Sequence, residues 1–391
     1  MARGHVRRQG EGTWEIKFEA GRDIASGKRI TRYVTFRGTK KAAEAELTHL
    51  LNHRDQGTLA DTRKQTVAEY LLHWLKVDID RRLAGRTAAR HRGIVEKNIV
   101  PRLGHLPIRS LTASHIEAFE ADLQREGWIK ARAKSAKQEQ EEQRGLSAQT
   151  VLHVHRTLSQ ALGHAVRTNV LYRNPAELVR PPRPPKREIK ILSKPEIGVV
   201  LCAARETDLY LPVLVSLSTG IRRGELLGLR WTDLDLDRAT MTVNQAMERV
   251  RKVTTFKPPK TTTSRRSISL PNACVEALRV HRARQSEQRL AMGLGRNSGA
   301  LVFAQADGSP ADADSLSKAF SRLVAAAGVT PITLHGLRHT HISHLLMDGV
   351  HLKVVSERAG HANVNVTMAI YAAFLPNMQG EVGKKVDAWL G

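Results

Sequence analysis

Four prolines within five residues, Pro181-Pro-Arg-Pro-Pro185, constrain the folding of this 391-residue chain more than any other feature. Proline has a fixed φ angle and no amide hydrogen, so neither a helix interior nor a central strand passes through such a run. Lys186 and Arg187 follow, and Ser193-Lys-Pro-Glu196 then has the pattern of a helix start. We therefore predict an extended linker over residues 181–190, with folded structure before it and a new domain after it.

The first 60 residues predict a small sheet with one helix. Apolar and charged residues alternate from Trp14 to Ala20, which is the period of a half-buried strand. A turn-rich stretch leads to a second predicted strand over Ile30–Phe36, and Thr39–Asn52 has helical spacing. Arginines flank the second strand, which favours contact with a DNA groove, although a plain β-hairpin module would show the same pattern.

Residues 61–180 predict an all-helical domain. Thr66-Val-Ala-Glu69 is a capping box that begins the first helix. Further helices are predicted over Thr87–Ile99, Thr112–Glu126 and Ser147–Thr168. Trp128–Arg144, between the last two, is rich in Lys, Arg, Gln and Glu and predicts a solvated helix extension or a loop.

The third predicted domain, residues 191–391, is mostly helical with a strand-rich interval between about Thr240 and Leu270. The predicted fold class is therefore α+β and mainly helical. It combines a small N-terminal sheet plus helix, an all-α domain, and a mostly α domain with a small antiparallel sheet.

The chain carries 62 basic and 38 acidic residues, a net charge of +24. The excess is 5 in residues 1–60, 9 in residues 61–185 and 10 in residues 186–391, so each region is cationic by itself. A protein that lies along a polyanion has this distribution, but so does a merely basic protein such as a ribosomal one.

Two cysteines are too few for a disulfide framework, and no apolar run approaches the ~18–20 residues of a membrane span. No secretory signal is evident at the N-terminus either, so we expect a soluble, cytoplasmic protein.

Three segments of the last domain contain residues suited to chemistry, and Ser218–Trp231 is the first. Its apolar spacing predicts a helix–turn–helix corner that holds Arg222 near the interior. A guanidinium there needs an acid or an anion. Glu225 lies three residues later, where it would orient Arg222 and leave donors free for a phosphate, or simply form a structural pair with it.

The second segment, Thr255–Pro271, predicts a basic hairpin whose return strand is Arg266–Leu270. Lys257, Lys260 and Arg265 are its other cations. A lysine on a flexible turn reaches into a groove and delivers a proton, while the alternative is a hairpin that only touches backbone phosphates.

The third segment, Leu334–Leu346, places His335 and Arg338 on one helical face, where both can point at one anion. His335 and His339 also have the spacing of some zinc helices. Gly336 stands where the HExxH pattern requires a glutamate, and no cysteine is near, so we expect no metal.

Together the segments resemble the motifs of the tyrosine recombinases, the phage integrase family, over essentially the whole chain. The matching motifs, in chain order, are Thr219-Gly-Ile-Arg222 with Glu225, Lys260-Thr with Ser264-Arg-Arg-Ser-Ile-Ser-Leu-Pro271, Leu334-His-Gly-Leu-Arg338-His-Thr340, Gly360-His361, and Tyr371. Ala359 departs from the leucine common before Gly-His, and Ala372-Ala-Phe374 lacks the histidine often seen after the tyrosine.

The resemblance implies a site-specific DNA recombinase, or integrase, that inserts or excises a phage or another mobile element. It implies that Tyr371 attacks phosphorus to form a 3′-phosphotyrosyl link and that Lys260 protonates the departing 5′-hydroxyl. Arg222 and Arg338 would stabilise charge on the non-bridging oxygens. His335 and His361 would add hydrogen bonds, and His335 is also a candidate to accept the tyrosine proton. No cofactor and no metal are implied.

The implied partner is double-stranded DNA, with core-type and arm-type attachment sites. Residues 1–60 would be the arm-type DNA-binding domain, residues 61–180 the core-binding domain, and residues 191–391 the catalytic domain. Two protomers would bind each core site and a homotetramer would exchange strands through a Holliday junction. A DNA-bending host factor and a directionality factor are possible further partners, and no membrane is expected.

The tail, Pro376–Gly391, would dock on a neighbouring protomer or pack against its own domain. Two other functions fit the same residues: a catalytically silent DNA-binding protein of the same fold, and a type IB topoisomerase.

Overall fold

A computed structural model describes residues 4–22, 29–55, 65–83, 85–126, 145–185, 188–250, 253–258, 265–293, 299–371, 386–387 and 389–390. The chain divides into two compact units, Met1–Pro185 and Lys186–Gly391. The division falls within the predicted proline linker. The finer division into an arm-type, a core-binding and a catalytic domain stays a prediction.

The N-terminal part of the first unit is an antiparallel sheet in the order β1-β2-β3, with one helix. These elements are β1 (His5–Gly10), β2 (Thr13–Arg22), β3 (Arg29–Arg37) and α1 (Lys40–Asp55). Ile16 and Phe18 are buried with Ala43 and Leu50 of α1, as the alternation predicted. The opposite face of the sheet carries polar and charged side chains, with Lys17 lying over the ring of Tyr33.

Helices of three to 20 residues form most of the rest of the first unit. They are α2 (Val67–Trp74), α3 (Asp80–Arg82), α4 (Gly85–Ile94), α5 (Val100–Leu103), α6 (Ala113–Glu126) and α7 (Ala148–Arg167). Two π-helical segments, Leu75–Ile79 and Val95–Ile99, connect α2 to α3 and α4 to α5. The predicted capping box at Thr66 is confirmed, because its side chain accepts from Glu69 N and Glu69 accepts from Thr66 N. The predicted segment Trp128–Arg144 lies outside the described residues.

The helices of the second unit include one that is apolar and largely buried, α9. In chain order they are α8 (Lys194–Ala204), α9 (Tyr210–Thr219), α10 (Arg223–Leu227), α11 (Asn272–Ala291), α12 (Ala313–Ala326), α13 (Leu334–Met347), α14 (Leu352–Ala359) and α15 (Val364–Tyr371). α9 contributes Val213 to one buried cluster and Val215 to another. Because α9 is buried on several faces, its C-terminal end is held in place. This fixes the position of the turn that follows α9.

Two small sheets lie in the predicted strand-rich interval, except that β4 comes just before it. They are a sheet in the order β4-β5-β8, formed by β4 (Leu234–Asp235), β5 (Thr240–Val243) and β8 (Arg266–Ser269), and a hairpin of β6 (Ala246–Val250) and β7 (Val253–Lys257).

The predicted return strand, Arg266–Leu270, does exist, but the predicted hairpin pairing is wrong. β8 pairs with β5, whereas β7 pairs with β6. The cross-strand pair Met241 and Ile268, both at most 1% exposed, explains this choice because it buries two large apolar side chains in the core.

None of the helices in the described part of the chain is long and apolar enough to cross a lipid bilayer.

Candidate active site

The turn between α9 and α10 places Arg222. Gly220 ends α9 in the left-handed region (φ 64°), Ile221 is buried, and Arg222 precedes the first turn of α10. A Cβ at Gly220 would lie 2.6 Å from His341 Cδ2, so this position needs glycine for its backbone angle and for its space. The predicted helix–turn–helix corner is confirmed, although 36% of the Arg222 side chain stays exposed.

Arg222 forms the pair with Glu225 that the sequence suggested, and it also bonds to a residue far along the chain. Its Nη1 donates to Glu225 Oε1 at 2.7 Å, and its main-chain N donates to Glu225 Oε2 at 3.1 Å. Its Nη2 donates to the main-chain oxygen of Gly360, 138 residues away. Burial works to raise the pKa of Glu225, but Arg266 and Arg222 outweigh it and hold that pKa below its ordinary value. Glu225 is therefore an ionised, buried carboxylate.

Arg338 lies in the first turns of α13 and is 3% exposed. Its Nη1 donates to Gly220 O at 2.6 Å, so the second arginine holds the turn that presents the first. Its Nη2 is buried and has no hydrogen-bond partner among the described residues. Burial and the nearby charge of Arg222 lower the pKa of Arg338 to about 9, and the guanidinium remains protonated at neutral pH.

His335 begins the same helix and stacks edge-to-face on His339, with ring centroids 4.9 Å apart. His335 is exposed, yet partial dehydration of its ring, together with His339, Arg338 and Arg222, lowers its pKa to about 4. It is therefore neutral at pH 7 and able to accept a proton.

His361 follows Gly360, which caps α14 in the left-handed region (φ 68°). The His361 amide donates to Ser356 O, and its Nδ1 shares a 2.7 Å hydrogen bond with Thr367 Oγ1. Burial, followed by the charges of Arg338, Arg222 and Arg266, lowers its pKa to about 4.

The main-chain and side-chain bonds of Arg222, Arg338 and the His361 turn therefore tie three distant motifs into one cluster. Lys260 lies outside the described residues. Tyr371 is the last residue of α15, and its side chain also lies outside them.

Sequence reasoning missed the role of Arg266, which it treated as one of several hairpin cations. Only 6% of the Arg266 side chain is exposed, and its Nη2 donates to Glu225 Oε2 at 2.9 Å. The signal was present: Arg266 lies two residues before the buried Ile268 on one strand, so both point inward.

Sequence reasoning also missed the pair Arg358 and His341. His341 Nδ1 lies 2.7 Å from Leu217 O, and its Nε2 accepts from Arg358 Nε at 3.2 Å. Arg358 Nη2 donates to Ser218 O at 2.8 Å. These bonds fix the end of α9 against α13 and α14, but no local pattern in the sequence predicts them.

Among the residues that the structure describes, no group of three or more His, Cys, Asp or Glu side chains is placed to hold a metal ion. The cluster instead offers guanidiniums and neutral imidazoles around one orphan donor. Such a set of donors is suited to an anion with tetrahedrally arranged oxygens.

Comparison with family models agrees with this arrangement. Residues 191–378 match the phage integrase family, and residues 66–123 match the phage integrase N-terminal SAM-like domain.

Two curated relatives resemble most of the chain. An integrase of Streptomyces ambofaciens is 31% identical over 356 residues, covering 88% of this chain and 86% of its own. A tyrosine recombinase XerC-like protein of Caldanaerobacter subterraneus subsp. tengcongensis is 28% identical over 391 residues, covering 95% of each chain.

Two solved structures share the fold. The Tn1549 transposon integrase, in complex with transposon right end DNA, has a TM-score of 0.63 at 21% identity and covers 81% of this chain and 99% of its own. A lambda integrase tetramer bound to a Holliday junction has a TM-score of 0.55 at 17% identity and covers 93% of this chain and 94% of its own. The mainly helical fold class with small antiparallel sheets is thereby confirmed.

Proposed function

Because this chain belongs to the phage integrase family of tyrosine recombinases, and is a site-specific DNA recombinase, we propose that it cleaves DNA through a covalent bond to Tyr371. The observation that carries the assignment of the site is the buried Nη2 of Arg338, which has no hydrogen-bond partner in the part of the chain that the structure describes. It lies next to Arg222 and the neutral imidazoles of His335 and His361. We assign the reaction to six residues: Arg222, Lys260, His335, Arg338, His361 and Tyr371.

The two arginines bind the non-bridging oxygens of the scissile phosphate. Attack on phosphorus adds negative charge to these oxygens, so fixed cations stabilise the transition state more than the ground state. Arg338 is held by Gly220 and Arg222 by Glu225 and Gly360, so little reorganisation is needed when the charge develops.

The nucleophile loses a proton and the leaving group gains one. The Tyr371 oxygen forms the new bond to phosphorus while the bond from phosphorus to the 5′-oxygen breaks. His335, which is neutral at pH 7, accepts the phenolic proton, and Lys260 gives a proton to the 5′-oxygen. The free 5′-hydroxyl of another strand reverses these steps and restores an ordinary phosphodiester.

We further propose that the protein acts as a homotetramer on two double-stranded core sites, with a Holliday junction between the two strand exchanges. The lambda integrase tetramer on a Holliday junction shares the fold and supports this proposal. Residues 1–60 bind arm-type DNA, residues 61–180 bind the core site, and residues 191–391 carry the chemistry. In this proposal the protein works in the cytoplasm for a phage or another mobile element, and DNA-bending and directionality factors are further partners.

A covalent-adduct assay tests the assignment. The protein is incubated with a nicked duplex carrying the junction sequence of the element that encodes it, and the products are run on a denaturing gel. We expect an adduct with the wild type and none with Tyr371→Phe. A wild type that forms no adduct would favour a silent DNA-binding protein. In a parallel reaction on a supercoiled plasmid that carries the same sequence, relaxation without recombined product would favour a topoisomerase. An adduct that persists in Tyr371→Phe would refute the nucleophile.

A further inference from the structure

Arg266 is a buried cation in a region already crowded with positive charge. Only 6% of its side chain is exposed, similar to the 6% of Glu225. A buried guanidinium is costly unless its donors are satisfied, and the structure satisfies them with groups that belong to the active-site cluster.

Glu225 is shared between two arginines. Its Oε2 accepts from Arg266 Nη2 at 2.9 Å, and its Oε1 accepts from Arg222 Nη1 at 2.7 Å. The position of Glu225 therefore fixes Arg222, and Arg266 fixes Glu225 from the opposite side. Without Arg266, the bonds from the main-chain N and Nη1 of Arg222 would remain, and the other side of the carboxylate would lose its partner.

The two arginines also bind the same helix end. Arg266 Nε donates to Arg358 O at 2.7 Å, and Arg222 Nη2 donates to Gly360 O. The last carbonyls of a helix have no partner within it, and a positive charge there is favourable. Gly360 packs directly on Arg266, since a Cβ at Gly360 would lie 2.7 Å from Arg266 Nη1. His361 is the next residue.

From these contacts we propose that Arg266 is a positioning residue for strand cleavage, because it binds Glu225 and the end of α14 at once and so fixes Arg222 relative to His361. The proposal rests on the proposed function, in which Arg222 and His361 both act on the scissile phosphate. Arg266 itself does not touch the phosphate.

Arg266→Lys tests the proposal with little change of charge or volume. A single ammonium cannot bind Glu225 and Arg358 O in the same geometry. We expect the single-turnover cleavage rate at saturating DNA to fall about 10- to 100-fold, because misplacement of a catalytic group by ~1 Å has costs of this order. The Kd for DNA should change less than about threefold, because the positive charge is kept.

Arg230→Lys is the matched control. Arg230 also binds a buried carboxylate with two nitrogens: its Nε and Nη2 lie 3.1 and 2.9 Å from the oxygens of Asp233, which is 5% exposed. This pair caps the N-terminal end of a short 3-10 helix (Trp231–Asp233) and makes no bond to Arg222 or to the His361 turn in the described part of the chain. A merely structural role for Arg266 predicts equal rate effects in the two variants.

A cleavage rate in Arg266→Lys within about threefold of the wild type, or no lower than in Arg230→Lys, would overturn the proposal. Loss of the cooperative melting transition in Arg266→Lys alone would overturn it as well, because the residue would then be required for folding. Failure of the proposed function would look different, since the wild type itself would then form no adduct.

Discussion

Replacing Glu225 with glutamine removes one charge from the most buried ionic cluster of the second unit. Glutamine has the same shape, but its amide group presents donors where a guanidinium also donates. Arg222 is 36% exposed and can bind water in place of the carboxylate, whereas Arg266 is 6% exposed and cannot. Breaking a buried ion pair by removing one partner costs about 3–5 kcal/mol, and we expect the lower end, about 3 kcal/mol, because one hydrogen bond to the amide oxygen remains.

The pH dependence of this loss follows from the pKa of Glu225. The pKa is lower in the folded protein than its ordinary value of 4.5. The stabilisation by the carboxylate is therefore complete above the unfolded-state pKa and is lost as the pH falls through the lowered folded-state pKa. The difference between the wild type and Glu225→Gln should be constant near neutral pH and should shrink in acid.

Native-state hydrogen exchange, read by mass spectrometry, measures this free energy for the second unit separately from the first. We expect the slowest amides of α13 to exchange about 100-fold faster in Glu225→Gln at pH 7, since each 1.4 kcal/mol is tenfold. Glu276→Gln is the control: it removes an exposed carboxylate that binds Arg279 at 3.0 Å, and we expect a change below about 0.5 kcal/mol. A change in Glu225→Gln of less than about 1 kcal/mol would refute the argument that Arg266 needs this charge.

Two further predictions concern the turn and the histidines. Gly360→Ala should lose more stability and more cleavage activity than Gly349→Ala, in melting and single-turnover assays. Both glycines have positive φ (68° and 81°), so alanine costs ~1–2 kcal/mol at either position. Only at Gly360 would the new Cβ meet Arg266, and equal losses in the two variants would contradict this packing argument. His335 and His361 both have a pKa of about 4, so cleavage at subsaturating DNA should hold down to about pH 5 and fall below it. A decline centred near pH 6.5, the ordinary histidine value, would show that burial and the surrounding cations do not lower the pKa of these rings.

The sequence predicted the contacts between residues that lie within one helical turn of each other. The capping boxes at Thr66 and Ser193 are confirmed because each involves a reciprocal bond between residues three apart. The pairing of Arg222 with Glu225 is confirmed for the same reason. In these cases the partners are fixed by the backbone of one helical turn, so spacing alone determines the contact.

The contacts between segments could not be predicted in the same way. The pairing of β8 with β5 rather than β7 depends on which strand can bury Ile268, and that depends on the whole core of the second unit. The bonds of Arg266 to Glu225 and of Arg358 to His341 join residues 41 and 17 positions apart. Motif resemblance indicated which residues assemble but not what holds them. The roles of all six residues stay predictions, and Lys260 and the Tyr371 side chain lie outside the described residues.

The positive charge of the candidate active-site cluster affects both the pKa values of its own residues and its affinity for phosphate. Glu225 binds two of the guanidiniums, while Arg338 keeps a donor without a partner among the described residues. Burial, followed by the charges of the neighbouring cations, lowers the pKa of His361 and of Arg338, so the free site already disfavours further positive charge. A bound phosphate brings negative charge into this partly dehydrated site. There it reduces the repulsion between the guanidiniums, which water does not screen. The exposed cations elsewhere in the chain are hydrated. Each contributes to DNA affinity through counterion release, but a phosphate relieves little charge repulsion there. Phosphate binding should therefore be tighter per cation at this cluster than at the exposed cations of the rest of the chain, whose total net charge is +24.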